Sequence, residues 1–304
     1  MSFPFTRLPV ELAHEIVRIS AAPDYQVPTA KRPTSYATAL SLASTSHALR
    51  RLTMPHLLHT IVLESTAQTL SFISSLSFQR RLDRRSPLAL DYSKLVRQFW
   101  CSECWEDHGP DGELDYAALY KIIRGVDLLG LSFYALHLLY NALDSSEADP
   151  RRDWKCQKII FTGANPRWNP LRISHSGVDW MGRITHLMFW IPPPVPSEEP
   201  TSVPHWVAEI PFSDFTSLTH MAFPPISNDL SVPVEMVAHV AKGSDFTPAV
   251  FREWATSRKH GVVIPFQSPP ICRVGEAQVR WEVPFVMGEA SRIWAEADRL
   301  TKDA

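Results

Sequence analysis

Cys101, Cys104 and His108 sit within eight residues, in the stretch CSECWEDH. Cys-x-x-Cys is the spacing of zinc ligands and of dithiol redox centres. A structural zinc takes four ligands, and only Cys156, Cys272 or a distant histidine remains to supply the fourth. A redox dithiol opens a helix, whereas this pair closes a predicted strand. The expectation is two free thiols and no bound metal. A second cluster, Ser174, His175, Ser176 and Asp179, holds the residue types of a hydrolytic triad. Triad members converge from separate elements, and the chain has no Gly-x-Ser-x-Gly elbow. A polar loop is expected there. His14 and Glu15 lack the second histidine that a zinc-peptidase helix carries. Neither a Walker-type phosphate loop nor Gly-x-Gly-x-x-Gly occurs, and glycine is scarce, at 11 residues. These patterns lead to the expectation of a protein that is not an enzyme and has no catalytic residues and no cofactor.

Charge points the same way. QRRLDRR (79–85) has the chemistry of a nuclear signal or a phosphate patch. It also ends a predicted helix, where cations suit the dipole, and that is the expected role. Across the chain 30 basic side chains face 32 acidic ones, a net charge of −2. That balance gives no drive towards nucleic acid or an anionic membrane, so neither is an expected partner. The longest uncharged apolar stretch, LLGLSFYALHLLYNAL at 128–143, is too short to span a bilayer. MSFPFTRLPVEL has no long apolar run and does not read as a signal peptide. The expected setting is the cytoplasm and/or the nucleus, with reduced thiols.

The elements that carry these residues follow a period. RITHLMFW (183–190) and SLTHMAFP (217–224) share Thr-His followed by bulky apolar residues, 34 positions apart. The pattern apolar, polar, polar, apolar, any, apolar fits at 58–63, 96–101, 156–161, 184–189 and 218–223, at 126–131 with one polar position lost, and in its second half at 259–264. Its fourth-position anchors are Ile61, Phe99, Leu129, Ile159, Leu187, Met221 and Val262. Near-even spacing of 28 to 41 residues marks a stacked repeat, in which each unit buries its apolar side only against its neighbours. The other reading is a compact α/β domain with similar strands.

The segments between anchors read as helices. TAQTLSFISSLSFQRRL places Leu70, Ile73 and Leu76 at helical spacing. ELDYAALYKII (113–123) and YALHLLYNAL flank the third strand. VPVEMVAHVAKG reads as a helix from Pro233 to Gly243, and TPAVFREWATSRKHG as one capped by Thr247. The proline-rich 191–205 reads as an exposed insertion with polyproline character. A final amphipathic helix with Ile293, Ala297 and Leu300 on one side is expected to cap the open end. Side chains alternate along strands, so the anchors face inward and Gln98, Trp100, Lys158, His186, Met188, Trp190 and His220 face outward. Two tryptophans and a methionine on an open face match the enrichment of interface hot spots, and mark a target-binding row.

Residues 1–57 do not fit the period. LPVELAHEIVRIS reads as a helix from Pro9 to Ser20, with Leu12, Ile16 and Ile19 on one face. ATALSLASTSHALRRLTMP reads as a second helix carrying Leu42, Leu49 and Leu52, stopped before Pro55. Here the chain resembles the F-box, in the divergent form of short fungal F-box-like proteins. Leu8, Pro9, Glu11, Leu12 and Ile16 match the family's opening, and Leu42 to Arg50 match its later Leu-Ser…Ser…Arg stretch loosely. The resemblance covers about 60 residues, and an irregular leucine-rich-like region (58–304 here) often follows in that family. It implies a substrate receptor of a cullin-based ubiquitin ligase. Leu8, Pro9, Leu12, Ile16, Leu42 and Leu49 would dock on a Skp-type adaptor, and the repeats would hold an unidentified protein target. Capping of the first repeat is the other role open to these helices.

Overall fold

The structure is a computed structural model. It describes residues 8–22, 36–83, 85–104, 116–145, 154–163, 166–190, 205–223, 235–240, 262–265, 293–295 and 298–299. Its centre is an α/β sheet whose strands run in chain order, β1 to β8. The first six are β1 (Thr60–Leu63), β2 (Gln98–Cys101), β3 (Leu128–Ser132), β4 (Lys158–Thr162), β5 (His186–Trp190) and β6 (His220–Phe223). All five pairings among them are parallel. Parallel neighbours need a long crossover, and the segments between carry the helices.

The anchors form one lateral row. Ile61 pairs with Phe99, Phe99 with Leu129, Leu129 with Ile159, Ile159 with Leu187, and Leu187 with Met221. Register is held at the strand entrances by shared carbonyls. His59 O accepts from Arg97 N and Gln98 N, both at 2.9 Å. Arg97 O accepts in the same way from Asp127 N and Leu128 N, Gln157 O from Thr185 N and His186 N, and Thr185 O from Thr219 N and His220 N. Two residues further on, Leu63, Cys101, Leu131, Phe161, Phe189 and Phe223 form a second inward row.

Helices close over this face. They are α4 (Thr66–Arg81), α5 (Tyr92–Leu95), α6 (Ala117–Gly125), α7 (His137–Asp144), α8 (Asn169–Ile173) and α9 (His175–Met181). Ile73 and Leu76 of α4, Leu119, Ile122 and Ile123 of α6, and Leu138, Leu139 and Leu143 of α7 join both rows in one core. Ser65 caps α4 by accepting from Gln68 N. Ser174 caps α9 by accepting from Gly177 N at 3.0 Å, so the expected polar loop is a capped helix. Gly177 is required there, because a Cβ would lie 2.2 Å from Leu171 O.

Two further strands depart from the expected period. β7 (Glu235–Val240) runs antiparallel to β6, where a helix from Pro233 to Gly243 was expected. Met236, Ala238 and Val240 alternate with Glu235, Val237 and His239, and the open edge of β6 supplies a ladder for them. β8 (Val262–Pro265) also pairs antiparallel, with β7, so Val262 is not a parallel repeat anchor. The helix expected after Thr247, the insertion at 191–204, Ala297 and Leu300 lie outside the described residues.

In front of β1 stand α1 (Val10–Ala21), α2 (Ala37–Thr45) and α3 (His47–Leu57). The single helix expected over 37–54 is broken at Ser46, whose extended backbone and side-chain bond to Leu49 N start α3 afresh. Pro55 is accommodated inside α3 rather than stopping it. Ala43, Met54 and Leu58 extend the sheet's core into these helices, and Tyr36 Oη donates to Thr60 O at 3.1 Å. Ile159→Ala should cost about 2–5 kcal/mol in denaturant-midpoint measurements, whereas Ile173→Ala, at a side chain 86% exposed, should stay within about 0.5 kcal/mol.

Candidate functional site

α1 has two apolar faces. Ala13, Val17 and Ala21, at helical spacing, are buried. Their small side chains let the helix lie close on α3, its neighbour. Leu12, Ile16 and Ile19, at i, i+4 and i+7, form the other stripe. Leu12 is 53% exposed and Ile16 42%, and Ile19 and Val10 are more exposed still. Pro9 is exposed, while Leu8, Leu42 and Leu49 are half-buried. The stripe is flanked by the ion pair of Arg18 with Glu15, which holds the Glu15 carboxyl below its usual range. Of the six residues expected to meet an adaptor, Leu12 and Ile16 share one solvent-facing stripe. Val10 and Ile19 extend the helix's apolar exposure and were not in that set.

The sheet's second face differs from expectation. Gln98, Trp100, Lys158, His186, Met188, Trp190 and His220 do lie on the face opposite the anchors. Trp100 and Trp190 are nevertheless only 1% exposed, Met188 is fully buried and His220 is buried. Only Gln98, Lys158 and His186 keep partial access. The three large side chains are therefore core, not an open target-binding row. Trp100 Nε1 donates to Ser102 Oγ at 2.9 Å, and Trp190 Nε1 to Met188 Sδ at 3.2 Å, so both indoles are satisfied from within the chain. Leu128, Ile160 and Ala222 are buried on the same face. The signal was present in LMFW (187–190) and IIF (159–161): continuous apolar runs belong to strands covered on both sides.

Part of the cover comes from the C-terminal segment. Ile293 and Trp294 are buried, and the Trp294 ring meets those of His186 and His220 at centroid distances of 5.1 and 5.8 Å. Asp298 Oδ1 lies 2.9 Å from His220 Nε2. This segment lies against the face of β5 and β6, where a cap over the open end of the repeats was expected. The rings of His186 and His220 stack 4.1 Å apart. Burial first, then the neighbouring His220 and Lys158, push the His186 pKa down to about 3. Trp294 and Asp298 were not in the expected row, because their proximity to β5 and β6 is purely tertiary.

Among the described residues the remaining clusters show no catalytic geometry. Cys101, Cys104 and Cys156 are buried and form no disulfide. Burial pushes the thiols of Cys101 and Cys156 up to about 12, the opposite of a reactive cysteine. Among the described residues no group of three metal-ligating side chains comes together, and His108 lies outside them. His175 is exposed on α9. Arg80 and Arg81 end α4, where they face its carbonyl terminus. Among the described residues no helix is long and apolar enough to cross a membrane.

Trp190→Ala should lower stability by about 3–5 kcal/mol, read as a fall in denaturation midpoint; an exposed hot spot would leave the midpoint in place. Site-resolved alkylation at pH 8 should leave Cys101 and Cys156 unmodified in the native protein and label them in denaturant. Compared with protein-family models, with curated proteins and with solved structures, the chain finds no match.

Proposed function

We propose that this chain is a non-enzymatic protein-interaction adaptor, the substrate-recognition subunit of a cullin-based ubiquitin ligase. The observation that carries the reading is the solvent-facing stripe of Leu12, Ile16 and Ile19 on α1. Isolated apolar side chains are common on surfaces, but three at helical spacing on one short helix make a patch of the kind that binds protein. Fully burying each would contribute about 1.5–3 kcal/mol, less here because each is already partly covered. The small-residue face is buried and α1 packs on both α3 and α2, so the helix is fixed in place and its outer stripe is open to a Skp-type adaptor.

The repeat reading belongs to the same proposal. Residues 58–304 form an irregular leucine-rich-repeat-like solenoid that holds a protein target, and the protein works in the cytoplasm and/or nucleus. Strands in chain order and anchors in one lateral row support it. The helical segment also covers the β1 end of the core through Met54 and Leu58. Capping and docking thus fall to different faces of one segment.

The test is co-expression with a Skp-type adaptor followed by size exclusion. Wild type should co-elute. Leu12→Asp with Ile16→Asp should lose binding by about a hundredfold or more, since each charge would enter a desolvated contact. Because both side chains face water in the free protein, the melting temperature should hold. If wild type never co-elutes, or the double variant binds as well as wild type, the stripe is not an adaptor site and capping is the only role left to the segment.

A further inference from the structure

The outward row expected to hold a target is largely core, so a target needs another surface. One stands where α4 ends and the chain turns back towards α5. Phe78, in the last turn of α4, is 53% exposed, and Leu88, beyond the helix, is exposed as well. A series of hydrogen bonds fixes the turn between them. Arg85 N donates to Asp83 Oδ1 and Ser86 N to Asp83 O, both at 2.8 Å. Leu88 N donates to Ser86 Oγ at 3.2 Å, and Ala89 N to Ser86 O at 3.0 Å. Leu90 N donates to Gln79 Oε1 at 2.8 Å, which ties the far side of the turn to the residue after Phe78. Charge at this corner is one-sided. Residues 78–90 hold Arg80, Arg81, Arg84 and Arg85 against Asp83 alone, a local charge of +3 in a chain whose net charge is −2. Arg81 lies three positions after Phe78, on its side of the helix, and both Arg81 and Arg85 are exposed. The ion pairs between described residues lie elsewhere, at Arg18, Lys94, Arg172 and His220. The helix dipole accounts for a cation at Arg81 but not for Arg85 beyond the helix, nor for a phenylalanine ring left in water.

We propose that this corner, with Phe78 and Leu88 as apolar contacts and Arg81 and Arg85 as cations, docks an acidic linear segment of a protein target that carries a bulky apolar residue among its carboxylates. Guanidinium groups meet carboxylates through two parallel hydrogen bonds, which fixes orientation as well as charge. Ion pairs at an exposed rim steer and orient a partner more than they hold it, so the apolar contact supplies the grip. A lipid surface fits less well. The side of α4 that carries Phe78 continues through Ser71, Ser74 and Ser75, all exposed, where a membrane-lying helix carries a long apolar stripe. The hydroxyls of Ser74 and Ser75 donate to Leu70 O and Ser71 O, so they ask nothing of a partner. Nucleic acid is disfavoured by the acid excess of the whole chain. The inference rests on the target-receptor reading for the role of the bound segment, and supplies the chemistry of that target.

The experiment is fluorescence anisotropy of a short fluorescein-labelled peptide of alternating glutamate and leucine, titrated with the full chain in the absence of any adaptor. A glutamate–serine peptide of the same length and charge is the control. Wild type should bind the leucine peptide at least about tenfold tighter than the serine peptide. Arg81→Gln with Arg85→Glu should weaken the leucine peptide by about tenfold or more, and so should a rise in salt from about 0.1 to about 1 M, which shortens the screening length from about 10 to about 3 Å. Phe78→Ser should bring the two peptides to equal affinity with the melting temperature unchanged. Should that variant melt early, Leu88→Ser, outside the helix, carries the same expectation. The proposal is overturned if wild type binds neither peptide or binds both alike, or if the arginine variant binds as wild type does. It is overturned equally if vesicles containing phosphatidylserine displace the peptide, since a lipid surface is then the occupant. Any of these failures leaves co-elution with the adaptor untouched, whereas peptide binding without co-elution removes the ligase reading and keeps the docking site.

Discussion

A shared carbonyl at the entrance of four of the five parallel pairings sets everything that follows. His59 O, Arg97 O, Gln157 O and Thr185 O each take two N–H groups from the next strand. The strands are only four or five residues long, so each contributes two inward side chains at most. A slip of one residue would send those two to the wrong face. Pinning the entrance prevents the slip and turns six pairs of side chains into two continuous rows. The helices α4 to α9 close on those rows because nothing else on that side offers so much apolar surface.

The same pinning creates the second face. Once the anchors point to the helices, Lys158, His186 and His220 must line up at the strand entrances, with Trp100, Ile160 and Met188 two residues on. The parallel ladder brings His186 and His220 together whatever their chemistry. Charge then becomes the constraint, since two stacked rings cannot both be cationic without cost. The Asp298 carboxylate lies 2.9 Å from His220 Nε2, and the Thr185 and Thr219 hydroxyls lie against the two Nδ1 atoms. A C-terminal tryptophan thus packs on a histidine pair whose placement is set by a register fixed elsewhere in the backbone.

At the other end of the chain the division is between small and large apolar residues on one helix. Ala13, Val17 and Ala21 are small enough for close approach to α3, and they take the inner side of α1. Leu12, Ile16 and Ile19 are displaced outward by that choice. Amphipathic periodicity identifies Leu12, Ile16 and Ile19 as a face but cannot say whether the chain itself covers it. Their exposure is decided by which stripe the packing of α1 on α3 and α2 covers.

The sequence by itself determined the anchors and hence the inner core. Ile61, Phe99, Leu129, Ile159, Leu187 and Met221 are legible because period-2 alternation and a recurring spacing are local properties of the chain. It also made α4, α6 and α7 legible, through apolar residues at helical spacing. Tertiary structure alone decided the rest. Met236 to Val240 has a sequence compatible with helix or strand, and the unpaired edge of β6 made it a strand. Trp100, Met188 and Trp190 alternate as outward residues should, yet they are buried, and a segment about a hundred residues downstream of β5 packs on His186 and His220 of the same face. Alternation tells which side of a sheet a residue is on; what lies on that side depends on chain segments brought back from far away, and no local pattern encodes their return.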